Sequence, residues 1–163
     1  MVILGIDPGT ARLGVGLIES RRANGRPASL RFIYADCLTT QMETPVGERL
    51  LFLSEELGKI VEKYQPDVAC VEQLFFGVNA RTAIAVGQAR GVVLATLARY
   101  KIPQVDYQGL SVKFALTGFG RSDKKQMQEA VRRHLKMRKI VKPDDAADGL
   151  AIAICRVLKA EKA

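Results

Sequence analysis

A chain of 163 residues with 48% hydrophobic and 26% charged content is long enough for a full core and reads as one domain over residues 1–163. No apolar run reaches the ~18 residues of a membrane span and no basic, cleavable leader opens the chain. The three scattered cysteines, Cys37, Cys70 and Cys155, read as reduced thiols of a cytoplasmic protein. The net charge of +8 is local: nine Lys and Arg against two acids give +7 between Arg121 and Lys142, leaving +1 for the rest. So basic a stretch with so few interspersed acids points to a polyanionic partner.

Taken in order, Val2 to Leu17 (VILGIDPGTARLGVGL) reads as an apolar strand ending in Asp7, a tight turn and a second strand rich in glycine and apolar residues. Pro8 and Gly9 suit the central positions of a type II turn. Arg21 to Ala28 is a polar turn, and Ser29 to Leu38 a third strand that completes an antiparallel meander. From Pro45 the period becomes helical, with Leu50, Leu53, Leu57, Ile60, Val61 and Tyr64 on one side, until Pro66 stops it. Val68 to Val71 is a short buried strand running into Glu72; following a crossover helix, it pairs parallel and makes the sheet mixed.

Gln73 to Asn79 (QLFFGVN) is a loop, and a long helix follows from Ala80 to Tyr100. Ala83, Gly87, Gly91 and Ala95 recur in it every four residues. Interior glycines cost a helix roughly 1 kcal/mol each relative to alanine, so they need a packing reason. Close packing within the chain and a helix–helix dimer seam fit equally. Ile102 to Asp106 is a fifth strand and Ser111 to Leu116 a short helix. A glycine-containing loop, Thr117 to Arg121, leads to a basic helix from Ser122, as N-cap, to Arg138. Pro143 opens a last helix, PDDAADGLAIAICRVLK, with proline in the first turn.

Asp7 and Glu72 each close an apolar strand, and Asp144, Asp145 and Asp148 sit in the first turns of the last helix. A carboxylate at the edge of a core is expensive unless solvated, paired or bound to a metal. Helical spacing puts Asp145 with Asp148 on one face, and equally Asp144 with Asp148, so geometry leaves that choice open. Should these acids converge, repulsion raises a pKa or demands cations, and oxygen-only ligation suits Mg²⁺ or Mn²⁺. Two such ions about 3.5–4 Å apart are suited to phosphodiester hydrolysis. Singly, each acid has a plainer role: Asp144 a cap or dipole partner, Glu72 a surface acid, Asp7 a turn residue. His134, the only histidine, reads as a surface or phosphate-contact residue.

LGIDPGTARLGVG, VEQLFFGVNARTAIAVGQARGV and DDAADGLAIAI resemble, in order, three signature segments of the RuvC family, Holliday-junction resolvases of the ribonuclease H-like superfamily. The resemblance runs from Val2 to about Leu158, its middle segment being the most specific. It implies an α/β fold, a five-stranded mixed β-sheet flanked by α-helices, in a homodimer that nicks four-way junction DNA during recombination and repair. It also implies Mg²⁺, two ions per site with Mn²⁺ as possible substitute, and cooperation with the RuvA–RuvB branch-migration complex. Carried over position by position, Asp7, Glu72, Asp145 and Asp148 become the catalytic and metal-binding acids. Phe75 matches a base-stacking aromatic, with Phe76 beside it in the same loop. Lys113 and Lys124 match basic residues around the site, and Arg121 and Lys125 join them on charge and proximity.

Two other readings compete. In an actin/Hsp70-like nucleotide-binding ATPase the first phosphate loop also reads strand, Asp, Gly-Thr, strand, but such proteins carry a second related segment that this chain lacks. A non-catalytic junction-binding module of the same fold would have lost acids, and here all four positions are filled.

Overall fold

The computed structural model describes residues 1–22, 28–73 and 80–160. Its axis is β1 (Val2–Asp7), the central strand of a five-stranded sheet. β2 (Arg12–Arg21) and β3 (Ser29–Thr39) continue antiparallel on one side; β4 (Val68–Glu72) and β5 (Gln104–Tyr107) lie parallel on the other, giving the order β3-β2-β1-β4-β5. The expected meander and mixed sheet are both present.

Alternation along the strands sorts side chains between two faces. Leu4 and Ile6 of β1, Leu13, Val15 and Leu17 of β2 and Ala69 and Val71 of β4 pack beneath α1 (Val46–Tyr64) and α2 (Ala80–Arg99). Ile3, Ile18, Val68 and Cys70 face α3 (Gly109–Thr117), α4 (Lys124–His134) and α5 (Asp144–Ala160). The helical stripe read in α1 is buried at Leu53, Leu57, Ile60 and Val61, and Gln65 ends that helix in a left-handed cap before Pro66. Cys70 and Cys155 are buried and Cys37 half-buried, all as free thiols. Among the described residues no helix is long and apolar enough to cross a membrane.

The seat of α5 governs the site. Ten of its residues, from Ala146 to Val157, are buried, because the helix lies between the sheet and the pair α3–α4. It approaches so closely because the strands beneath it present glycines. A Cβ on Gly16 would fall 2.7 Å from Leu150 Cα, and one on Gly5 2.6 Å from the Ala153 nitrogen. On Gly14 it would meet the Asp145 backbone, 2.7 Å from its carbonyl carbon, and Gly149 of the helix reciprocates against Val15. Side chains there would lift the N-terminal turns of α5, and their three aspartates, off β1.

Several local expectations are corrected. Gly9 does not adopt positive φ, so no type II turn forms at Pro8-Gly9; glycine is needed because a Cβ would run into the Arg12 carbonyl oxygen. The basic helix is capped by Asp123 rather than Ser122: Asp123 Oδ1 accepts from Gln126 N at 2.8 Å and Gln126 Oε1 from Asp123 N at 2.9 Å, a reciprocal capping box. It ends at His134, not Arg138, because Leu135 turns into the core and Lys136 takes φ 51°. Pro143 precedes the last helix, its carbonyl accepting from Ala146 N at 3.1 Å. β5 runs from Gln104 to Tyr107, two residues later than expected at its start. Gly91 is exposed and a Cβ there would meet nothing within 4 Å, so packing within the chain does not account for it.

Candidate active site

β1 and β4 run parallel with Ile6 opposite Val71, so the residues that follow, Asp7 and Glu72, leave the sheet side by side. Parity puts both on the α5 face, with Ile3, Val68 and Cys70. Glu72 is held from two sides. Arg90 of α2 donates to its carbonyl oxygen (3.3 Å) and to Asp106 of β5 (2.6 Å), and Gln73 N bonds the Tyr107 carbonyl (2.8 Å). On the side-chain side, Gly109 opens α3 where any Cβ would collide with the Glu72 carboxylate.

Asp7, Glu72 and Asp148 line one cleft of about 160 Å³, together with Gly109, Val112 and Lys113 of α3 and Lys124 and Met127 of α4. Burial, a hydrogen bond with Glu72 and the charges of Glu72 and Asp145 push the Asp7 carboxyl from 3.8 up to about 8. Burial, then the nearby Asp7, raises Asp148 to about 6. Lys124 opposes both shifts. The last helix thus brings a carboxylate to the two strand ends, and the resulting cluster is electrostatically under-neutralised.

Asp145 does not line the cleft. It turns toward Arg12, whose Nη1 lies 3.4 Å from Oδ2, and that oxygen is buried without a hydrogen bond. Among the described residues no three His, Cys, Asp or Glu side chains form a ready-made metal cage. The donor set nevertheless fits a hard divalent cation. It is all oxygen, burial and mutual charge disfavour the ionised forms of Asp7 and Asp148, and one buried carboxylate oxygen lacks a hydrogen-bonding partner.

Asp144 has the plainer role given to it: it opens α5, accepts from Gln128 Nε2 at 2.6 Å and lies 3.9 Å from Lys124 Nζ, tying α4 to α5. Of the basic residues, Lys113 and Lys124 line the cleft, Arg121 lines a neighbouring groove, and Lys125 is exposed on α4 and lines neither. Phe75 and Phe76 lie outside the described residues. His134 is half-buried with Nε2 3.2 Å from the Leu116 carbonyl, so it braces α4 against α3. Arg12, Gly109 and Arg90 were not singled out in the sequence. Arg12 carried a signal, a cation five residues after Asp7 in an otherwise apolar hairpin, whereas Gly109 and Arg90 gained their roles only from the tertiary fold.

Central strand, parallel neighbour and packed helix delivering acids to one cleft define a protein of the ribonuclease H-like class, and the fold comparisons agree. More narrowly, the chain belongs to the family described as crossover junction endodeoxyribonuclease RuvC, whose family model matches residues 3–156. A Chloroflexus aurantiacus protein of that description is 52% identical over 160 residues, covering 98% of this chain and 94% of its own. One from a Roseiflexus species is 50% identical over 157 residues, covering 96% and 90%. The structure of Thermus thermophilus RuvC in complex with a Holliday junction substrate superposes with a TM-score of 0.90 at 30% identity, covering 99% of this chain and 96% of that one. A fowlpox virus resolvase structure, 13% identical with a TM-score of 0.60, shares the fold.

Proposed function

We propose that this protein is a structure-selective endodeoxyribonuclease that resolves four-way DNA junctions by paired, symmetric phosphodiester hydrolysis during recombination and repair. Family membership over nearly the whole chain supports the substrate. The observation that carries the chemistry is the under-neutralised acid cluster at the ends of β1, β4 and α5.

Asp7, Glu72, Asp148 and, once released from Arg12, Asp145 would hold the metal. When bound, a pair of Mg²⁺ ions, or Mn²⁺ in their place, supplies Lewis acidity to the attacking water and the leaving oxygen. Burial and the neighbouring Glu72 favour a proton on Asp7, which a ligating cation would have to displace, so metal binding is expected to release a proton there. Lys113 and Lys124, on facing helices across the cleft, hold the phosphate and offset charge developing on it. Arg121 and Lys125 extend this basic surface along the DNA. Phe75 and Phe76, in the loop after Glu72, are assigned to base stacking at the crossover on the family resemblance.

Two symmetric cuts need two sites, and a two-fold dimer supplies them. The seam we assign to α2 and the adjoining edge of α1: Gly91 and Ala95 are exposed, and Ile84 (65%) and Leu51 (58%) expose large apolar side chains on the same two helices. The reading extends to cooperation with the RuvA–RuvB complex, on the family resemblance, and to a cytoplasmic location, which the free thiols support.

The test is a synthetic four-way junction with the purified protein, with and without Mg²⁺. Symmetric nicks are expected only with metal, and Asp7→Asn is expected to bind the junction without cutting it. Cleavage by Asp7→Asn at the unsubstituted rate would sink the mechanism.

A further inference from the structure

Behind the cleft, α3 forms the wall of a second recess. Gly109, Val112 and Lys113 look into the catalytic cleft, while Leu110, Ser111, Phe114 and Ala115 line a groove of about 670 Å³ on the opposite side, closed by Arg121 and Lys159. That volume lies within the ~300–1,000 Å³ typical of ligand pockets. Its apolar surface is bare: Leu110 is 61% exposed and Phe114 59%.

The loop that lends Gly120 and Arg121 to the lining carries a further aromatic residue beside them. Phe119 is 75% exposed, yet its backbone is pinned. Thr117 Oγ1 accepts from Phe119 N at 3.1 Å, Ser122 Oγ donates to the Phe119 carbonyl at 2.8 Å, and the two hydroxyls share a 2.6 Å bond with each other. Ser122 is buried to do this. A loop so tied that presents a naked phenyl ring has lost little flexibility to an eventual contact, which makes it a stacking platform rather than a frayed turn.

Charge identifies the occupant. Arg121 is exposed at the groove, Lys159 stands with Nζ 5.3 Å from the centre of the Tyr107 ring, and among the described residues no acidic side chain lines the recess. One helix separates these cations from Lys113 in the cleft. An apolar floor, aromatic rim and cationic ends suit a nucleotide, whose base has an apolar face and whose phosphate is anionic. A second copy of the chain is disfavoured, since the seam assigned above lies across the sheet, on α1 and α2.

We propose that the groove between α3 and the 117–122 loop receives a nucleotide of the DNA strand leaving the cleft. Phe119 and Phe114 stack on its unpaired base, and Arg121 and Lys159 hold its phosphates. This rests on the nuclease reading and adds to it an aromatic contact separate from the loop after Glu72. The groove residues are positioning residues for the scissile strand.

The experiment uses the full chain carrying Asp7→Asn, so that DNA is bound but not cut, and junctions with 2-aminopurine at successive positions around the crossover. Adding Phe114→Ala and Phe119→Ala is expected to weaken junction binding roughly 5- to 150-fold. It should also abolish a position-specific fluorescence change and leave the salt dependence intact, while Phe119→Trp keeps both. Arg121→Ala and Lys159→Ala should each reduce the slope of log affinity against log salt by about 1. Full affinity and unchanged fluorescence in the double variant would overturn the assignment and leave the groove to a protein partner. Lost self-association at unchanged affinity would overturn it in favour of a second copy. A parent that fails to prefer junction over duplex would overturn the nuclease reading and this groove with it. If the double variant melts early, photo-crosslinking from 5-iododeoxyuridine to the native Phe119 decides in its place.

Discussion

Asp7→Asn, which removes cleavage, is expected to make the metal-free protein more stable. A carboxyl raised from 3.8 to about 8 binds its proton in the native state over a pH span where the unfolded chain has released it. Native stability therefore falls as pH climbs from about 4 to about 8, at roughly 1.4 kcal/mol per pH unit. Taken whole, the span gives a ceiling of roughly 5–6 kcal/mol; water entering the open cleft relaxes part of that, so about 2–3 kcal/mol is expected at unfolding. Asparagine does not titrate, and its amide can donate to Glu72 in place of the shared proton. In a chelating buffer Asp7→Asn should match the unsubstituted protein near pH 4 and melt roughly 5–10 °C higher at pH 8–9. Mg²⁺ should then close the gap from the other side, stabilising only the unsubstituted protein, by ~2.7 kcal/mol at a hundred times its dissociation constant. A variant that melts at or below the unsubstituted protein at pH 8 in chelator would refute the claim that burial and the neighbouring acids disfavour the Asp7 carboxylate.

Gly16→Ala forces a methyl group to within 2.7 Å of Leu150 Cα, and is expected to cost roughly 3 kcal/mol in urea unfolding and to lose cleavage as α5 lifts. Gly91→Ala, in open space, is expected to add about 1 kcal/mol to the helix of the isolated chain. If α2 is the seam, the same change weakens self-association in sedimentation; unaltered association would remove the seam from α2. Lys124→Gln deletes the cation that holds Asp7 and Asp148 down, so the acidic limb of the pH–rate profile should move to higher pH. A limb that stays or moves to lower pH would show that Lys124 does not act on these groups.

Strands and helices were legible where period and punctuation agree, as in the α1 stripe between Pro45 and Pro66. The faces of the sheet were legible too, since alternation alone puts Asp7 with Ile3. What failed was chemistry with two solutions. Gly9 fits either a positive φ or a tight approach, and only the position of the Arg12 carbonyl chooses. Ser122 and Asp123 are both cap formers; the Gln three residues after Asp123 was the deciding signal, and Ser122 is spent on the preceding loop. The basic helix stops early because Leu135 is drawn into the core, a tertiary demand with no local mark. Asp145, read as a fourth ligand and kept as one in the proposed mechanism, lies beside Arg12 in the structure, a long-range contact that spacing does not encode.

The glycine seat has a consequence for biosynthesis. Asp7 belongs to β1, whereas Asp145 and Asp148 come from α5, made more than a hundred residues later, and the close apposition of strand and helix backbones unites them. Until α5 emerges, the side of the sheet with Ile3, Ile18 and Val68 lacks the helix that lies directly on it, and nascent β1 carries only half an acid cluster. Late, long-range closure of this kind slows folding and leaves apolar surface exposed meanwhile. It also means that a chain whose α5 has not docked cannot cut DNA: the nuclease is switched on when that helix takes its seat.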